Sequence, residues 1–301
     1  MTDDERKQWL EERRKGIGGS DAAGVLGLSP WTTPLQVYEA KLGIGTPVEE
    51  TWPMKWGTWL EPHLRQAYAD ATGNAVLAHS GVLRHPRHDW MLATLDGMTE
   101  HGRVVEFKTS RSDRGWGEPG SADIPEHYLV QVQHYLCVTG APVADVVLGL
   151  YGQPPRIYEV EADRELQELI LDREAAFWDR VQRQDPPDPI NLADTLRRFR
   201  DAIEGTVLAT QETRRAVESL RDIRAQAKAL EAREEVVKAE ILKAMGDLDT
   251  LVSPDTGEVL ATWKQAKAPV RFDAKALQAA LPDVYKQYLK AGEASRRFLL
   301  K

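Results

Sequence analysis

The sequence has very little cysteine. Cys137 is the one cysteine among 301 residues, which excludes an internal disulfide and a cysteine-based metal cluster. It lies in an apolar run and is predicted to be a buried core residue. His85 and His88 lie in an irregular loop segment whose spacing does not indicate a zinc site. Neither residue type therefore supplies a convincing metal site.

Long apolar segments and a net basic charge are also absent. No apolar run approaches the length of a membrane span, and the charged N-terminus lacks an apolar signal core. We therefore expect a cytoplasmic protein without a membrane partner. The formal net charge of −8 argues against a broadly basic nucleic-acid coat. It does not exclude a nuclease, because a nuclease needs only a local basic track.

Residues 90–108 contain the most informative motif. Trp90–Leu95 and Arg103–Lys108 are predicted to be two short strands, and Asp96 follows the first of them. Glu106 and Lys108 share one face of the second strand, about 7 Å apart by the rise of ~3.3 Å per residue. If the strands pair, Asp96 joins them.

Two carboxylates and a lysine on one sheet face suit phosphodiester cleavage with a divalent metal. Carboxylates bind hard cations, and an ammonium group orients or activates a water or offsets charge on the scissile phosphate. The alternative is that Glu106 and Lys108 form an exposed salt bridge on a strand.

A glycine-rich turn near the N-terminus is a second candidate site. Gly18 and Gly19 predict a tight turn, and Ser20 or Asp21 is the expected N-cap of the next helix. A basic run at residues 13–15 precedes the turn. Free N–H groups beside basic side chains can hold a phosphate. The alternative is an ordinary loop with a helix cap.

Three further polar features adjoin these motifs. Glu61, near the start of a helix predicted over Met54–Thr72, is either a favourable charge there or a carboxylate aimed at the metal site. Residues 109–117 form a basic, hydroxyl-rich loop suited to phosphate and base contacts, or a solvated surface loop. Gln131, in a helix predicted over Glu126–Thr139, binds water or phosphate, or lies on a half-exposed helix face.

The order of predicted elements indicates an α/β fold. Helices come first, and strands are predicted over residues 75–83, 90–95, 103–108, 145–151 and 156–160, with helices over 126–139 and 164–184. This order predicts a central mixed β-sheet flanked by helices. The proline-rich break at residues 185–189 predicts a boundary between a domain over 1–189 and a module over 190–301.

The module over 190–301 is predicted to be mainly helical. Residues 192–245 are nearly all helix-forming, and apolar residues recur from Val217 to Ala244 at mostly three- and four-residue steps. Such a heptad-like seam favours an oligomer contact, a partner contact or packing within the subunit. Thr250–Val252 and Val259–Trp263 flank a turn and predict a β-hairpin.

Several of these motifs occur together and in a fixed order. They are Arg14 to Ala22, Gly57 to Pro62, Asp96-Gly97, Glu106-Phe107-Lys108 and Tyr128 to Gln133. The set resembles the YqaJ-type viral recombinases, relatives of lambda exonuclease among the PD-(D/E)XK nucleases, over about residues 8–182. The resemblance implies a restriction-endonuclease-like core. The proline that names the superfamily is absent, because Thr94-Leu95 precedes Asp96.

The resemblance implies a metal-dependent 5′-to-3′ exonuclease that acts on double-stranded DNA ends. Such an enzyme leaves 3′ single-stranded overhangs for a single-strand annealing protein in phage-type homologous recombination. A ring-shaped homo-oligomer that threads DNA, often a trimer, is implied as well. The protein would be encoded by a phage or prophage and act in the cytoplasm of the bacterial host.

The resemblance also assigns a metal centre. Asp96 and Glu106 would bind Mg²⁺, with the Phe107 carbonyl as a further ligand, and Mn²⁺ is expected to support activity too. Glu61 would complete the acidic site from its helix. Lys108 would assist the attacking water, and Gln131 would contact the metal-bound water or the substrate.

A pocket for the 5′-phosphate is the other implied site. Arg14 and Ser20 match this pocket, and Thr94 and Arg114 are weaker candidates. The spacing from Arg14 to Ser20 also allows Arg13 to take the place of Arg14.

Two other functions remain open from the sequence. The first is a structure-specific or nicking endonuclease on the same scaffold. The second is a non-catalytic DNA-binding or assembly protein that acts through its C-terminal module.

Overall fold

The computed structural model describes residues 3–45, 50–78, 81–290, 292 and 296–301. The chain divides into two compact units, Met1–Phe199 and Arg200–Lys301. The division falls after Phe199 and not at residue 189, because the short helix beyond the proline-rich break packs on the first unit. Asp194 of that helix accepts a hydrogen bond from the Thr33 hydroxyl at 2.8 Å.

The elements of the first unit alternate between helices and short strands. Its helices are α1 (Asp3–Arg14), α2 (Gly19–Val25), α3 (Pro34–Leu42), α4 (Trp52–Thr72), α5 (Glu126–Thr139), α6 (Arg164–Arg183) and α7 (Leu192–Arg198). Its strands are β1 (Ile17–Gly18), β2 (Val76–Leu77), β3 (Leu83–Arg84), β4 (Met91–Ala93), β5 (Gly97–Thr99), β6 (Val104–Ser110), β7 (Val143–Leu150) and β8 (Arg156–Glu161).

The main sheet is mixed and has the order β2-β5-β6-β7-β8. β6 and β7 are parallel, and the other neighbouring pairs are antiparallel. Val105 and Phe107 of β6 pack with Leu64 and Tyr68 of α4, whereas the opposite face of β6 meets α5. The predicted central mixed sheet flanked by helices is therefore confirmed.

A small second sheet has the order β1-β4-β3, with β1 parallel to β4. It corrects two sequence predictions. The strand predicted over residues 75–83 consists of β2, which pairs with β5, and β3, which pairs with β4; residues 79–80 lie outside the described part. The strand before Asp96 also does not pair with β6, because that place is taken by β5, which follows Asp96.

Helix α4 is buried only along its second half. Leu64 and Tyr68 are its buried residues, as the helical spacing predicts. The same spacing in the sequence predicts core positions for Trp56 and Trp59. That prediction is wrong, because the two residues are 49% and 57% exposed. The apolar stripe on this helix therefore extends beyond the part that packs on the sheet.

The core of the first unit contains a buried pair of a histidine and a glutamate. The His134 ring on α5 lies 2.8 Å from Glu174 Oε1 on α6 through Nδ1, and 2.8 Å from the Leu92 carbonyl oxygen through Nε2. Both side chains are completely buried. The pair therefore ties α5 to α6 and to β4.

The second unit contains a long helix and a hairpin. Its elements are α8 (Gln211–Met245), β9 (Thr250–Val252), β10 (Val259–Thr262), α9 (Ala274–Ala280) and α10 (Pro282–Gln287). The predicted hairpin is confirmed, since β9 and β10 pair antiparallel. The helical run predicted over 192–245 is interrupted at residues 199–210, which are not helical. None of the described helices is both long and apolar enough to cross a bilayer.

Candidate active site

Glu106 and Lys108 lie side by side on the face of β6 that meets α5. Lys108 Nζ donates hydrogen bonds to Glu106 Oε1 at 2.6 Å and to Gln131 Oε1 at 3.0 Å. The Gln131 amide in turn donates to Glu106 Oε1 at 2.8 Å. Because Glu106 is only 3% exposed, the alternative of a surface salt bridge is wrong.

Gln131 is held in place from within its own helix. Its Nε2 lies 2.9 Å from the hydroxyl of Tyr135, one helical turn further along α5. Gln131 and Tyr135 are both buried, so the alternative of a half-exposed helix face is wrong. The glutamine therefore links Glu106 and Lys108 to the core.

Asp96 lies where the chain leaves the small sheet and enters the main one. Its Oδ2 accepts a hydrogen bond from the Phe107 N–H at 2.8 Å. The Asp96 carboxylate therefore lies against β6 at Phe107, the residue between Glu106 and Lys108. Burial and the nearby negative charge of Glu106 raise the pKa of Asp96 to about 7. The two carboxylates are therefore close enough to repel each other.

Glu61 reaches the same region from α4. Arg65, four residues along the helix, donates to Glu61 Oε1 at 2.7 Å and to the Asp96 carbonyl oxygen at 2.8 Å. Burial and the negative charge of Asp96 raise the pKa of Glu61. Glu61 is therefore near Asp96, but it is engaged by an arginine.

The carboxylates fit a divalent cation by their chemistry. Glu106 Oε2 is buried and has no hydrogen-bond partner among the described residues. A cation between Asp96 and Glu106 would satisfy this oxygen and remove the repulsion between the two carboxylates. Within the described ranges, no three acidic, histidine or cysteine side chains are grouped for a metal. Asp96 and Glu106 are thus the pair that fits, and Glu61 is held apart by Arg65.

The N-terminal turn is built differently from the prediction. Arg13 Nη2 donates to Ser20 Oγ at 2.6 Å, whereas the Arg14 guanidinium lies against Gly43. Arg13, the alternative to Arg14, is therefore the arginine beside Ser20, and membership of Arg14 in a phosphate pocket stays a prediction. The physical reason is helical phase, because consecutive residues near the end of α1 point about 100° apart.

Asp21 organises this turn. Its carboxylate accepts hydrogen bonds from Arg13 at 3.0 Å, from Lys41 at 2.6 Å and from the Gly18 N–H at 3.0 Å. Burial alone would raise the pKa of Asp21, but the charges of Lys41 and Arg13 hold it well below its usual range. Gly18 is the N-cap of α2, so neither Ser20 nor Asp21 is the cap residue that the sequence predicts.

Two contacts connect the N-terminal turn to the carboxylate centre. Gly18 pairs with Leu92 of β4, a few residues before Asp96. Gly19 lies so close to the Tyr135 ring that a Cβ atom at this position would be 2.4 Å from it. Since Tyr135 also contacts Gln131, the turn and the centre share one buried side chain.

The two weaker phosphate candidates lie on the surface. Thr94 is exposed between β4 and Asp96, and Arg114 is exposed in the loop that follows β6. In the same loop, Asp113 accepts a hydrogen bond from Arg156 at 3.0 Å. Membership of Thr94 and Arg114 in a phosphate pocket stays a prediction.

Three contributing residues were missed by the sequence reasoning. Arg65 had a signal, because a residue four positions after Glu61 lies on the same helix face. Lys41 had no local signal: its contact with Asp21 joins α3 to α2 across 20 residues. Tyr128 was given no role of its own, but it is half-buried and Lys108 Nζ lies 4.7 Å from its ring centroid.

The fold is similar to that of a solved exonuclease. The alkaline exonuclease LHK-Exo of Laribacter hongkongensis is 22% identical, with 60% of this chain and 94% of that chain covered and a TM-score of 0.51. Its complex with dAMP matches with the same identity and coverage and a TM-score of 0.50. The chain therefore has the α/β fold of this exonuclease over that length.

The sequence comparisons place the chain in a family. The YqaJ-like viral recombinase domain matches residues 8–142. The uncharacterized protein YqaJ of Bacillus subtilis (strain 168) is 32% identical over 307 residues, which cover 98% of this chain and 94% of that protein. The protein belongs to the YqaJ-like viral recombinase family, as its motifs predicted.

Proposed function

We propose that this protein is a metal-dependent deoxyribonuclease that digests double-stranded DNA from its 5′ ends and leaves 3′ single-stranded overhangs. The observation that carries the proposal is the buried cluster of Glu106, Lys108 and Gln131, with Asp96 hydrogen-bonded to the same strand. Family membership and the exonuclease-like fold support it.

The cation would be Mg²⁺, with Mn²⁺ as a substitute, and Asp96 and Glu106 would hold it. Carboxylate oxygens are the ligands that these hard cations prefer. When bound, the cation supplies Lewis-acid stabilisation of charge at the phosphate. We assign the Phe107 carbonyl and Glu61 as further ligands of the cation. Glu61 can serve as a ligand only after its hydrogen bond with Arg65 is broken.

Lys108 acts as a charged hydrogen-bond donor. Burial would lower the pKa of Lys108, but the adjacent Glu106 carboxylate raises it above its usual value. The ammonium group is therefore protonated at neutral pH, where it orients the attacking water and offsets charge on the scissile phosphate. Gln131 fixes the ammonium through the bond at 3.0 Å and would contact the metal-bound water or the substrate.

The Arg13 and Ser20 pair would bind the terminal 5′-phosphate. An arginine guanidinium matches phosphate geometry, and the Ser20 hydroxyl adds a donor beside it. Because Asp21, which is itself held by Lys41, already fixes the guanidinium, little side-chain entropy is lost on binding. A site for the 5′ end favours an exonuclease over an enzyme that cuts within a strand.

The experiment compares linear duplex DNA with 5′-phosphate or 5′-hydroxyl ends, with Mg²⁺ and with chelator. A covalently closed circle is the control for endonuclease activity. We expect metal-dependent loss of the linear duplex, faster from 5′-phosphate, and an intact circle. Cutting of the circle would identify a nicking or structure-specific endonuclease instead. Failure to cut either DNA with any divalent metal would leave a DNA-binding or assembly protein.

We extend the proposal to partners from family membership. The overhangs would be used by a single-strand annealing protein in phage-type recombination, and the enzyme would be a ring-shaped homo-oligomer, with three subunits as the first expectation. Light scattering on the full-length protein, with and without duplex DNA, measures the oligomer. A monomer at concentrations that support cleavage would contradict the ring.

A further inference from the structure

An exposed tryptophan stands beside the candidate active site on the side opposite α4. Trp31 lies in the loop between α2 and α3 and is 67% exposed. Its ring meets His127 edge-on, with ring centroids 4.8 Å apart, and lies 6.1 Å from the ring of Tyr128. Burial of apolar surface does not account for its position, because most of the ring remains in water.

The loop that presents Trp31 is ordered by local hydrogen bonds. The Ser29 hydroxyl accepts bonds from the backbone N–H groups of Trp31 and Thr32, each at 3.2 Å. Such a serine turn restricts the backbone. The backbone that carries the indole is therefore held in a defined conformation.

The rings behind Trp31 lead directly to the candidate catalytic lysine. The His127 and Tyr128 rings are 4.1 Å apart, and Lys108 Nζ lies 4.7 Å from the centroid of the Tyr128 ring. We call Trp31, His127 and Tyr128 the aromatic shelf. Its successive ring contacts connect Lys108 to the solvent-exposed Trp31.

His127 supports the shelf as a neutral ring. Burial is the main cause that lowers the pKa of His127, and the positive charge of Lys108 lowers it further. Its Nε2 is buried and has no hydrogen-bond partner in the described part of the chain. A neutral imidazole packs against Trp31 as an aromatic surface and adds no charge of its own to the site.

We propose that the aromatic shelf holds a nucleobase of the digested strand next to the scissile phosphate, with Trp31 stacked on the base. This inference rests on the proposed nuclease function. A phosphodiester centre handles a strand whose bases lie beside each phosphate, and an exposed indole next to such a centre fits the flat face of a base. Stacking tolerates every base, as a processive enzyme requires.

The test combines a protein change with a substrate change. Trp31→Ala removes the indole, and an abasic residue placed in turn at the first three positions of the 5′ strand removes one base. We expect each change to lower kcat/KM by roughly 5- to 150-fold, as base stacking on an aromatic ring predicts. At the position whose base stacks on Trp31, the protein change and the abasic residue together should lower kcat/KM no more than either does alone.

Matched variants separate stacking from other effects. Trp31→Phe keeps an aromatic face and should recover part of the loss, whereas Trp263→Ala removes an exposed tryptophan of the second unit and should change nothing. The inference is overturned if Trp31→Ala cleaves normal DNA as the unchanged protein does. It is equally overturned if an abasic residue lowers kcat/KM by the same factor in the unchanged protein and in Trp31→Ala at every position tested.

A binding measurement keeps the inference testable without cleavage. In the Glu106→Gln background, Trp31→Ala should weaken binding to the normal DNA end but not to the end with the abasic residue at the stacking position. Absence of metal-dependent cleavage by the unchanged protein would count against the proposed function. Equal affinities for the two DNA ends in the Glu106→Gln protein would count against the shelf.

Discussion

Replacing Lys41 with methionine removes one of the two cations that neutralise the Asp21 carboxylate. The Lys41 side chain is 4% exposed and donates to Asp21 Oδ2 at 2.6 Å and to the Arg13 carbonyl oxygen at 2.9 Å. Methionine has a similar length and keeps the packing, so the change isolates the charge and its hydrogen bonds.

The loss in free energy of unfolding depends on the hydrogen bonds that Asp21 keeps. Removal of one partner from a buried ion pair costs about 3–5 kcal/mol. Asp21 is 18% exposed and keeps its bonds from Arg13 and Gly18, so we expect a smaller loss than that, about 2–3 kcal/mol. For a unit of this size the melting temperature should fall by roughly 4–12 °C.

Urea denaturation followed by tryptophan fluorescence measures the loss at neutral pH. Lys15→Met is the matched control, since that lysine is 57% exposed and should change stability by less than about 0.5 kcal/mol. In an Asp21→Asn background, Lys41→Met should cost less than it does alone. A loss as small as that of the control, or an undiminished loss in the Asp21→Asn background, would refute the reasoning.

The same change should depend on pH with a definite sign. The pKa of Asp21 in the folded protein lies below its ordinary value of 3.8, so its pairing stabilises the fold fully above that pH. The contribution is lost as pH falls further toward the folded pKa. The difference between the unchanged protein and Lys41→Met should therefore be constant near neutrality and shrink below about pH 4.

Three further predictions concern substitutions at four positions. Glu106→Gln and Lys108→Met should each abolish metal-dependent cleavage of linear duplex DNA with an unchanged circular dichroism spectrum; full activity in either would contradict the roles assigned. Gly19→Ala should lower stability to urea by about 1–3 kcal/mol, because its Cβ would meet the Tyr135 ring at 2.4 Å. Glu174→Ala should lower stability by about 3–5 kcal/mol and Glu174→Gln by less, since glutamine keeps a hydrogen bond in the buried pair.

The chemistry of β6 was predictable because it depends on local geometry. Alternation along a strand places Glu106 and Lys108 on one face and Phe107 on the other, whatever the rest of the chain does. The structure has this arrangement, with Phe107 in the core against α4 and the two charged residues toward α5. The motif order similarly led to Gln131, which contacts both charged residues.

The partners of these elements were not predictable from local sequence. β5 is only three residues long and shows no clear alternation, so nothing marked Gly97–Thr99 as the strand that pairs with β6. Helical spacing put Trp56 on the same face as Leu64, but it carries no information on where the sheet ends. The choice between Arg13 and Arg14 depends on helical phase at the last turn of α1.

The pairing of β1 with β4 fixes the distance between the N-terminal turn and the two carboxylates. Ile17 and Gly18 are hydrogen-bonded to the strand that leads into Asp96, so backbone pairing sets the span from Ser20 to the carboxylates. Loops that differ in length elsewhere leave that span unchanged. For an enzyme that grips a 5′ end at one point and cuts at the other, the span decides how many nucleotides leave in each cycle.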